Sequence, residues 1–256
     1  MTTAVIIASA HHDLLRLATG SINRFAPEAD VIAIDNGSGV GAKNPRAGCG
    51  ADDHASAIHF ARSFLPPKYD HVVVFDDDAL VTSERWLPTL QSYHRTGYGV
   101  VGGVRHRGLP DQIAVDGVLV PHAHCLSFTR GLFDLVPTFY SEKEPGLRYL
   151  RYDTGVHACL FLHGQCCEMK VLPHYPVGTG PLFRALAVGE YYDPVNGPET
   201  LWVHLGRGTS FAPDHPVREW IRQVTALWSP RSQKILRRQN LRAAYLARGR
   251  DLVRLR

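Results

Sequence analysis

The sequence predicts an α/β fold, a mainly parallel sheet flanked by helices, and three observations carry that expectation. The first is a strand, helix, strand pattern within the opening stretch of about thirty-five residues, which is the signature of a βαβ unit. The second is His71-Val-Val-Val-Phe-Asp-Asp-Asp-Ala-Leu80, where four apolar residues run straight into three consecutive carboxylates. The third is that three successive strands end in polar clusters: Ser9 to Asp13, Asp35 to Ser38, and Asp76 to Asp78. Ligands of open α/β sheets bind outside the carboxyl ends of the strands, so the clusters mark one candidate edge.

Taken in order, Thr3-Ala-Val-Ile-Ile-Ala-Ser9 reads as a buried strand, and Leu14–Arg24 as a helix with apolar residues at 14, 15, 17, 18 and 22. Val31-Ile-Ala-Ile34 is the second strand, ending in Asp35-Asn-Gly-Ser-Gly39. The Gly-rich segment Gly37–Gly50 reads as a loop, and Asp53–Phe64 as a helix with Ala55, Ile58, Ala61 and Phe64 inward. The acidic strand follows, and Ala79–Thr82 reads as a loop leading to the next helix. Further on, Cys125–Val136 reads as strand then helix, and Cys167–Leu172 as a strand. Val171–Thr200, with five prolines, reads as a long irregular segment of the kind that shapes a binding pocket.

Bulk properties fit an ordinary globular protein: 45% hydrophobic and 20% charged residues over 256 positions, enough for a substantial core. Met-Thr-Thr-Ala-Val-Ile-Ile has no basic leader pattern, and no apolar run reaches the ~18 residues of a membrane span. Five cysteines, without zinc-site spacing, suggest a reducing cytoplasm, and the vicinal Cys166-Cys167 reads as core. The net charge of +4 is uneven. Residues 217–256 hold eleven Lys or Arg against Glu219 and Asp251, whereas the rest of the chain is mildly acidic. Within that tail Trp220, Ile221, Val224, Leu227 and Trp228 recur at helical spacing, and a second helix runs from Gln233 to Leu246. A cationic amphipathic helix suits an anionic membrane surface or an acidic partner. It equally suits packing on the acidic body or on a second subunit. The basic residues ring the helix instead of lining one aromatic stripe, so nucleic acid is not expected.

The three acids demand the most explanation. A helix cap needs one carboxylate, and Asp76, Asp77 and Asp78 crowd three at a strand end. Hard oxygen ligands at this spacing suit Mg²⁺ or Mn²⁺, which bind through one or two carboxylates together with substrate phosphates.

With these motifs the chain resembles nucleotide-sugar-dependent glycosyltransferases of the GT-A fold, in particular the inverting, rhamnosyltransferase-like enzymes with an Asp-x-Asp motif. The Val-Ile-Ile strand, the Ile-Asp-Asn-Gly-Ser strand end and Phe75-Asp-Asp-Asp78 carry the resemblance. Cys125–Val136, Tyr152–Gly164 and Trp202-Val-His-Leu-Gly-Arg-Gly-Thr-Ser210 extend it, to roughly residues 3–211. It implies a Rossmann-type mixed sheet over residues 1–216, with a nucleotide-binding half at 1–80, an acceptor-binding half at 81–216 and a basic helical extension at 217–256. It implies a nucleoside-diphosphate sugar donor and a sugar, lipid-linked or small-molecule acceptor. The protein would then be cytoplasmic, with a peripheral contact at the inner face of the membrane, or a homo-oligomer, through 217–256.

Residue by residue, the resemblance implies that Asp35 bonds the nucleobase and that Asp76 meets ribose or metal. Asp78 would ligate the Mn²⁺ or Mg²⁺ that bridges the diphosphate, and His204 would be a late ligand to that metal or a contact to the diphosphate. Ser9, His54 and Asp77 join the nucleotide contacts, and Asp153 would be the general base of an inverting displacement. Each residue has a plainer reading. Asp35-Asn-Gly-Ser suits a turn, Asp153 an N-cap, and a lone His204 a structural role. Tyr152 stands where the family usually has a second acid, which leaves a retaining mechanism open. His122 and His124 alternate as if on one face of a strand and could face the acceptor. Two further functions fit the same sheet: a sugar-phosphate nucleotidyltransferase, and a non-catalytic nucleotide-sugar-binding module. The first normally carries a Gly-rich, Arg- or Lys-containing phosphate loop after the opening strand, where this chain has Ala8-Ser-Ala-His-His12.

Overall fold

The computed structural model describes residues 1–45, 51–104, 114–115, 117–140, 142–143, 150–152, 154–175, 180–182 and 189–205. The elements run β1 (Thr3–Ser9), α1 (His12–Phe25), β2 (Asp30–Asp35), β3 (Ala42–Lys43), α2 (Ala51–Phe64), β4 (His71–Phe75), β5 (Ala79–Val81) and α3 (Trp86–Arg95). They continue with β6 (Val100–Gly103), β7 (Ala114–Val115), β8 (Val118–Leu119), β9 (Cys125–Thr129), α4 (Arg130–Leu135), β10 (Glu142–Lys143), β11 (Leu150–Tyr152), α5 (Val156–Gly164), β12 (Met169–Leu172), β13 (Gly189–Asp193) and β14 (Gly197–His204).

Seven strands form the main sheet in the order β12-β6-β9-β4-β1-β2-β3. β3, β2, β1 and β4 are mutually parallel, as are β6 and β12, while β9 runs antiparallel between β4 and β6. The sheet is therefore mixed and mainly parallel. Every residue of β1 and β4 is buried, as continuous apolar runs require when both sheet faces are covered. Alternate side chains enter opposite cores. Ala4, Ile6, Val72 and Val74 pack with α2, α4 and α5 through Ile58, Phe133 and Leu162. Val5, Ile7, Val73 and Phe75 pack with α1 and α3 through Leu15, Ile22, Trp86 and Leu90.

Several local expectations are corrected. Ala79–Thr82 is not a loop to a helix, because Ala79–Val81 is a fully buried strand paired antiparallel with Trp202–His204. The apolar pair Leu80 and Val81 gains more from burial in a ladder than from leading into α3. Val171–Thr200 is not irregular throughout: β13 and the start of β14 form a hairpin in it, with Pro194, Val195 and Asn196 at the turn. The three-stranded sheet β13-β14-β5 results. The Gly37–Gly50 loop contains the short β3, and residues 46–50 lie outside the described residues. Phe64, expected inward, is 43% exposed at the last residue of α2, where the helix passes the edge of its core. Cys166 is exposed, at a positive φ in the turn after α5, whereas Cys167 is half-buried and packs against the core, so the expectation holds for Cys167 and not for Cys166. His122 and His124 lie in the turn that enters β9, not on a strand. Between Ser83 and His124 the sequence pattern gives only a helix without bounds, and α3, β6, β7 and β8 stand there. No helix among the described residues is long and apolar enough to cross a membrane. The basic tail, 217–256, lies outside the described residues.

Candidate metal and nucleotide site

Strand β4 delivers Asp76 to the carboxyl edge of the sheet. There the Asp76 N–H donates to the His124 carbonyl at 3.2 Å, and a tight turn returns the Ala79 N–H to the Asp76 carbonyl at 3.2 Å. Asp76 and Asp78 point one way, and Asp77, between them, points the other. Opposite them comes His204, because the β5/β14 register pairs His204 with Ala79 and the Leu205 N–H donates to the Asp78 carbonyl at 3.0 Å. His204 Nε2 lies 3.1 Å from Asp78 Oδ1 and 3.5 Å from Asp76 Oδ2.

One donor atom from each of these residues lies within 4.8 Å of the others. Two carboxylates and an imidazole with that spacing fit a divalent cation. The electrostatics show how strongly the cluster wants positive charge. Burial works to keep His204 neutral, yet the carboxylates of Asp78 and Asp76 outweigh it and carry the imidazole up to about 10. The cluster opens on one side: the Asp76 and His54 side chains are 21% exposed, against 7% for Asp78 and His204. His54, on the first turns of α2, places Nε2 3.6 Å from Asp76 Oδ1.

The chain path is similar overall to that of a mannosyltransferase from Pyrobaculum calidifontis solved with GDP-Man and Mn²⁺. That match covers 98% of this chain and 76% of that one, at 16% identity and a TM-score of 0.50. The chain has the GT-A fold. The catalytic domain of Drosophila beta1,4-galactosyltransferase 7, solved with xylobiose, matches 86% of this chain and 79% of its own at 12% identity, with a TM-score of 0.44. The 4-diphosphocytidyl-2C-methyl-D-erythritol synthase of Anaerococcus prevotii matches 67% and 88% at 13% identity, with a TM-score of 0.42. No protein-family model matches the chain, and neither does any curated protein sequence.

Within this GT-A frame the remaining sequence-predicted residues fall into three groups. Ser9 and Asp77 meet each other below the cluster, where the Ser9 hydroxyl donates to Asp77 Oδ2 at 2.5 Å. Both are buried, so their contact is internal. Burial, with Asp78 alongside, pushes the Asp77 carboxyl up to about 8. Asp35, paired with Ser9 in the β1/β2 register, stands at the same edge. Its Oδ1 accepts from the Gly37 and Gly39 N–H groups at 2.8 and 2.9 Å, which hold the carboxyl below its usual range. Gly37 and Gly39 have φ of +130° and +75°, so the turn that Asp35 caps depends on glycine. Asp153 lies outside the described residues, between Tyr152 of β11 and the start of α5.

His54 owes its place to a buried amide network. Asn44 Nδ2 donates to Asn36 Oδ1 at 2.7 Å, and Asn36 Nδ2 donates to the Asp53 carbonyl at 3.2 Å, tying the start of α2 to the end of β2. Two further histidines join the cluster: His11, which had no role assigned from sequence, and His124, expected to face an acceptor and instead completely buried. His11 precedes α1 within the field of Asp78, which opposes the lowering that burial imposes on its imidazole. His124 stacks on His204. The only sequence signal for His11 was its position after the end of β1, whereas His124 was marked by its alternation with His122.

Proposed function

We propose that the protein is a divalent-metal-dependent glycosyltransferase that moves a sugar from a nucleoside-diphosphate donor to an acceptor hydroxyl. One observation carries the proposal: Asp76, Asp78 and His204 converge at the carboxyl edge of a GT-A sheet, with the acids crowded enough to raise a buried imidazole to about 10. Asp76, Asp78 and His204 would hold the ion. The imidazole favours Mn²⁺ over Mg²⁺, which keeps to oxygen ligands. A divalent cation supplies neutralisation of the charge that a departing nucleoside diphosphate develops.

The chain's own residues do the rest. His54, on the open side of Asp76, would contact the diphosphate, and Asp35 would meet the nucleobase with its carboxylate held ionised by the turn. Ser9 and Asp77 would brace the floor beneath the donor. Asp153 would take the proton of the acceptor hydroxyl, as inversion requires. The acceptor would be a sugar, a lipid-linked sugar or a small molecule. The basic segment 217–256 would lean on an anionic membrane face or on a second copy, with the protein in the cytoplasm.

The test combines thermal shift with UDP, GDP, dTDP and CDP, with and without Mn²⁺, and product analysis from the matching nucleotide sugars. At least one diphosphate is expected to stabilise the protein only with metal. Release of free nucleoside diphosphate supports transfer. Pyrophosphate release from a nucleoside triphosphate and a sugar phosphate would replace it with nucleotidyl transfer. Binding without turnover on any acceptor class would leave a binding module.

A further inference from the structure

We infer that His124 is the positioning residue of the cluster, holding Asp76 by its backbone and the plane of His204 by its ring. The inference rests on reading Asp76, Asp78 and His204 as a cation site and adds a residue that touches neither ion nor donor.

His124 is completely buried in the turn before β9. Its carbonyl accepts the Asp76 N–H at 3.2 Å, so a shift of this residue moves one carboxylate. Its ring stacks on the His204 ring, with centroids 4.6 Å apart and planes 25° from parallel. Tyr191 packs against the same ring at 4.4 Å and stacks on Trp202 at 4.8 Å, the planes 2° apart. The block is seated on bare backbone: a Cβ at Gly103 would stand 2.5 Å from His124 Cε1 and 2.6 Å from Tyr191 Cε1.

The hydrogen bonds explain why the position holds histidine instead of phenylalanine. Trp202 Nε1 can only donate, so His124 Nδ1, at 3.4 Å, accepts. The Val104 carbonyl can only accept, so His124 Nε2, at 3.3 Å, carries the proton. The two partners together select one neutral tautomer and lock the ring against rotation. A ring fixed in this way holds the plane of the stacked His204, whose Nε2 lies 3.1 Å from Asp78 Oδ1 and 3.5 Å from Asp76 Oδ2. Groups that orient metal ligands from behind commonly change metal affinity about 10–100-fold when they are altered.

His124→Phe keeps the ring and removes both hydrogen bonds. Gly103→Ala leaves every polar group in place and pushes the ring with one methyl, which gives a second, independent perturbation. Mn²⁺ affinity is measured by titration, the Co²⁺ absorption bands report the ligand geometry, and melting in chelator reports the fold. Ser127→Ala, remote from the cluster, is the control for destabilisation alone. Both variants are expected to weaken Mn²⁺ about tenfold or more and to shift the Co²⁺ bands, while Ser127→Ala lowers melting and leaves both unchanged. Wild-type binding with His124→Phe and Gly103→Ala within twofold of it overturns the positioning role alone. The same role falls if Ser127→Ala loses Mn²⁺ in proportion to its lost stability. A wild-type protein that takes up no Mn²⁺ overturns the cation-site reading, and this inference with it.

Discussion

The two ends of β4 place histidine in opposite electrostatic worlds. At its start, His71 bonds the Thr3 hydroxyl through Nδ1 at 2.9 Å and Ser127 Oγ through Nε2 at 2.6 Å. His94 Nε2 reaches the same Ser127 oxygen at 2.7 Å, and Gln91 Nε2 donates to Thr3 Oγ1 at 3.0 Å. Burial, with His94 and the N-terminal amine beside it, drives His71 down to about 3. At the other end His204 is as deeply buried and yet is held charged up to about 10, because two carboxylates face it. Burial by itself neutralises an imidazole, and only uncompensated acid reverses that. The first end is a closed neutral network that fastens strands. The second is a crowd of like charges that folding alone gives no reason to assemble, which is where a ligand is to be sought.

The sharpest way to break the contrast is at the acidic end. Asp78→Ala is expected to lower Mn²⁺ affinity by about a hundredfold or more, and to erase the metal-dependent stabilisation by a nucleoside diphosphate. In the wild type that gain is about 2.7 kcal/mol at a hundred times the dissociation constant, and calorimetric melting reads the difference. Full retention of the shift in Asp78→Ala would show that the cluster is not the cation site.

At the neutral end Ser127→Ala takes away the oxygen shared by His71 and His94. The expected cost is about 1–3 kcal/mol in denaturant unfolding, from polar groups left buried without that partner. Mn²⁺ affinity should stay within twofold. A coupled loss of both would mean that the two ends of the strand are not independent.

The pH dependence of stability separates the ends further. His71 has a folded pKa below its unfolded value near 6.5, so the unfolded chain binds the extra proton and stability falls as pH drops from 6.5 towards about 3. Asp77 is shifted the other way, to about 8 against an unfolded value near 4, so its contribution is lost as pH rises across that interval. Between about pH 4 and 6.5 the two slopes oppose, each at most about 1.4 kcal/mol per pH unit. Asp77→Asn should therefore expose a steeper acid limb and raise stability near neutrality, as read by denaturant midpoints in chelator. An unchanged pH profile in Asp77→Asn would exclude the buried protonated carboxyl.

The smallest effect concerns the open side. His54→Ala should alter melting of the metal-free protein by no more than about 0.5 kcal/mol, as for a surface substitution. Diphosphate affinity in the presence of Mn²⁺ should fall several-fold. If only stability changes, His54 serves α2 and not the donor.

Legibility in the sequence follows how local each signal is. Strands β1, β2 and β4 were plain because a strand buried on both faces is a continuous apolar run, and α1 and α2 because their apolar spacing is helical. Strands β5 and β13 were missed: Ala79–Val81 is too short to show a period, and Glu190-Tyr191-Tyr192 carries no apolar run. Each becomes a strand only by pairing with β14. Phe64 shows the opposite failure, a residue with correct helical phase that outruns the core it was meant to join.

The sequence by itself determined the sheet edge and the acids placed there, because a buried strand running into carboxylates needs no partner to be recognised. It also supplied His204 as a candidate, through resemblance. Only the tertiary structure decided which acids act together. The turn after Phe75 sends Asp77 down to Ser9 and leaves Asp76 and Asp78 facing His204, and the β5/β14 register brings that histidine across more than a hundred residues of chain. Side-chain direction at a turn and register between distant strands are set by packing and by hydrogen bonds that close late. Neither leaves a periodic trace in the sequence.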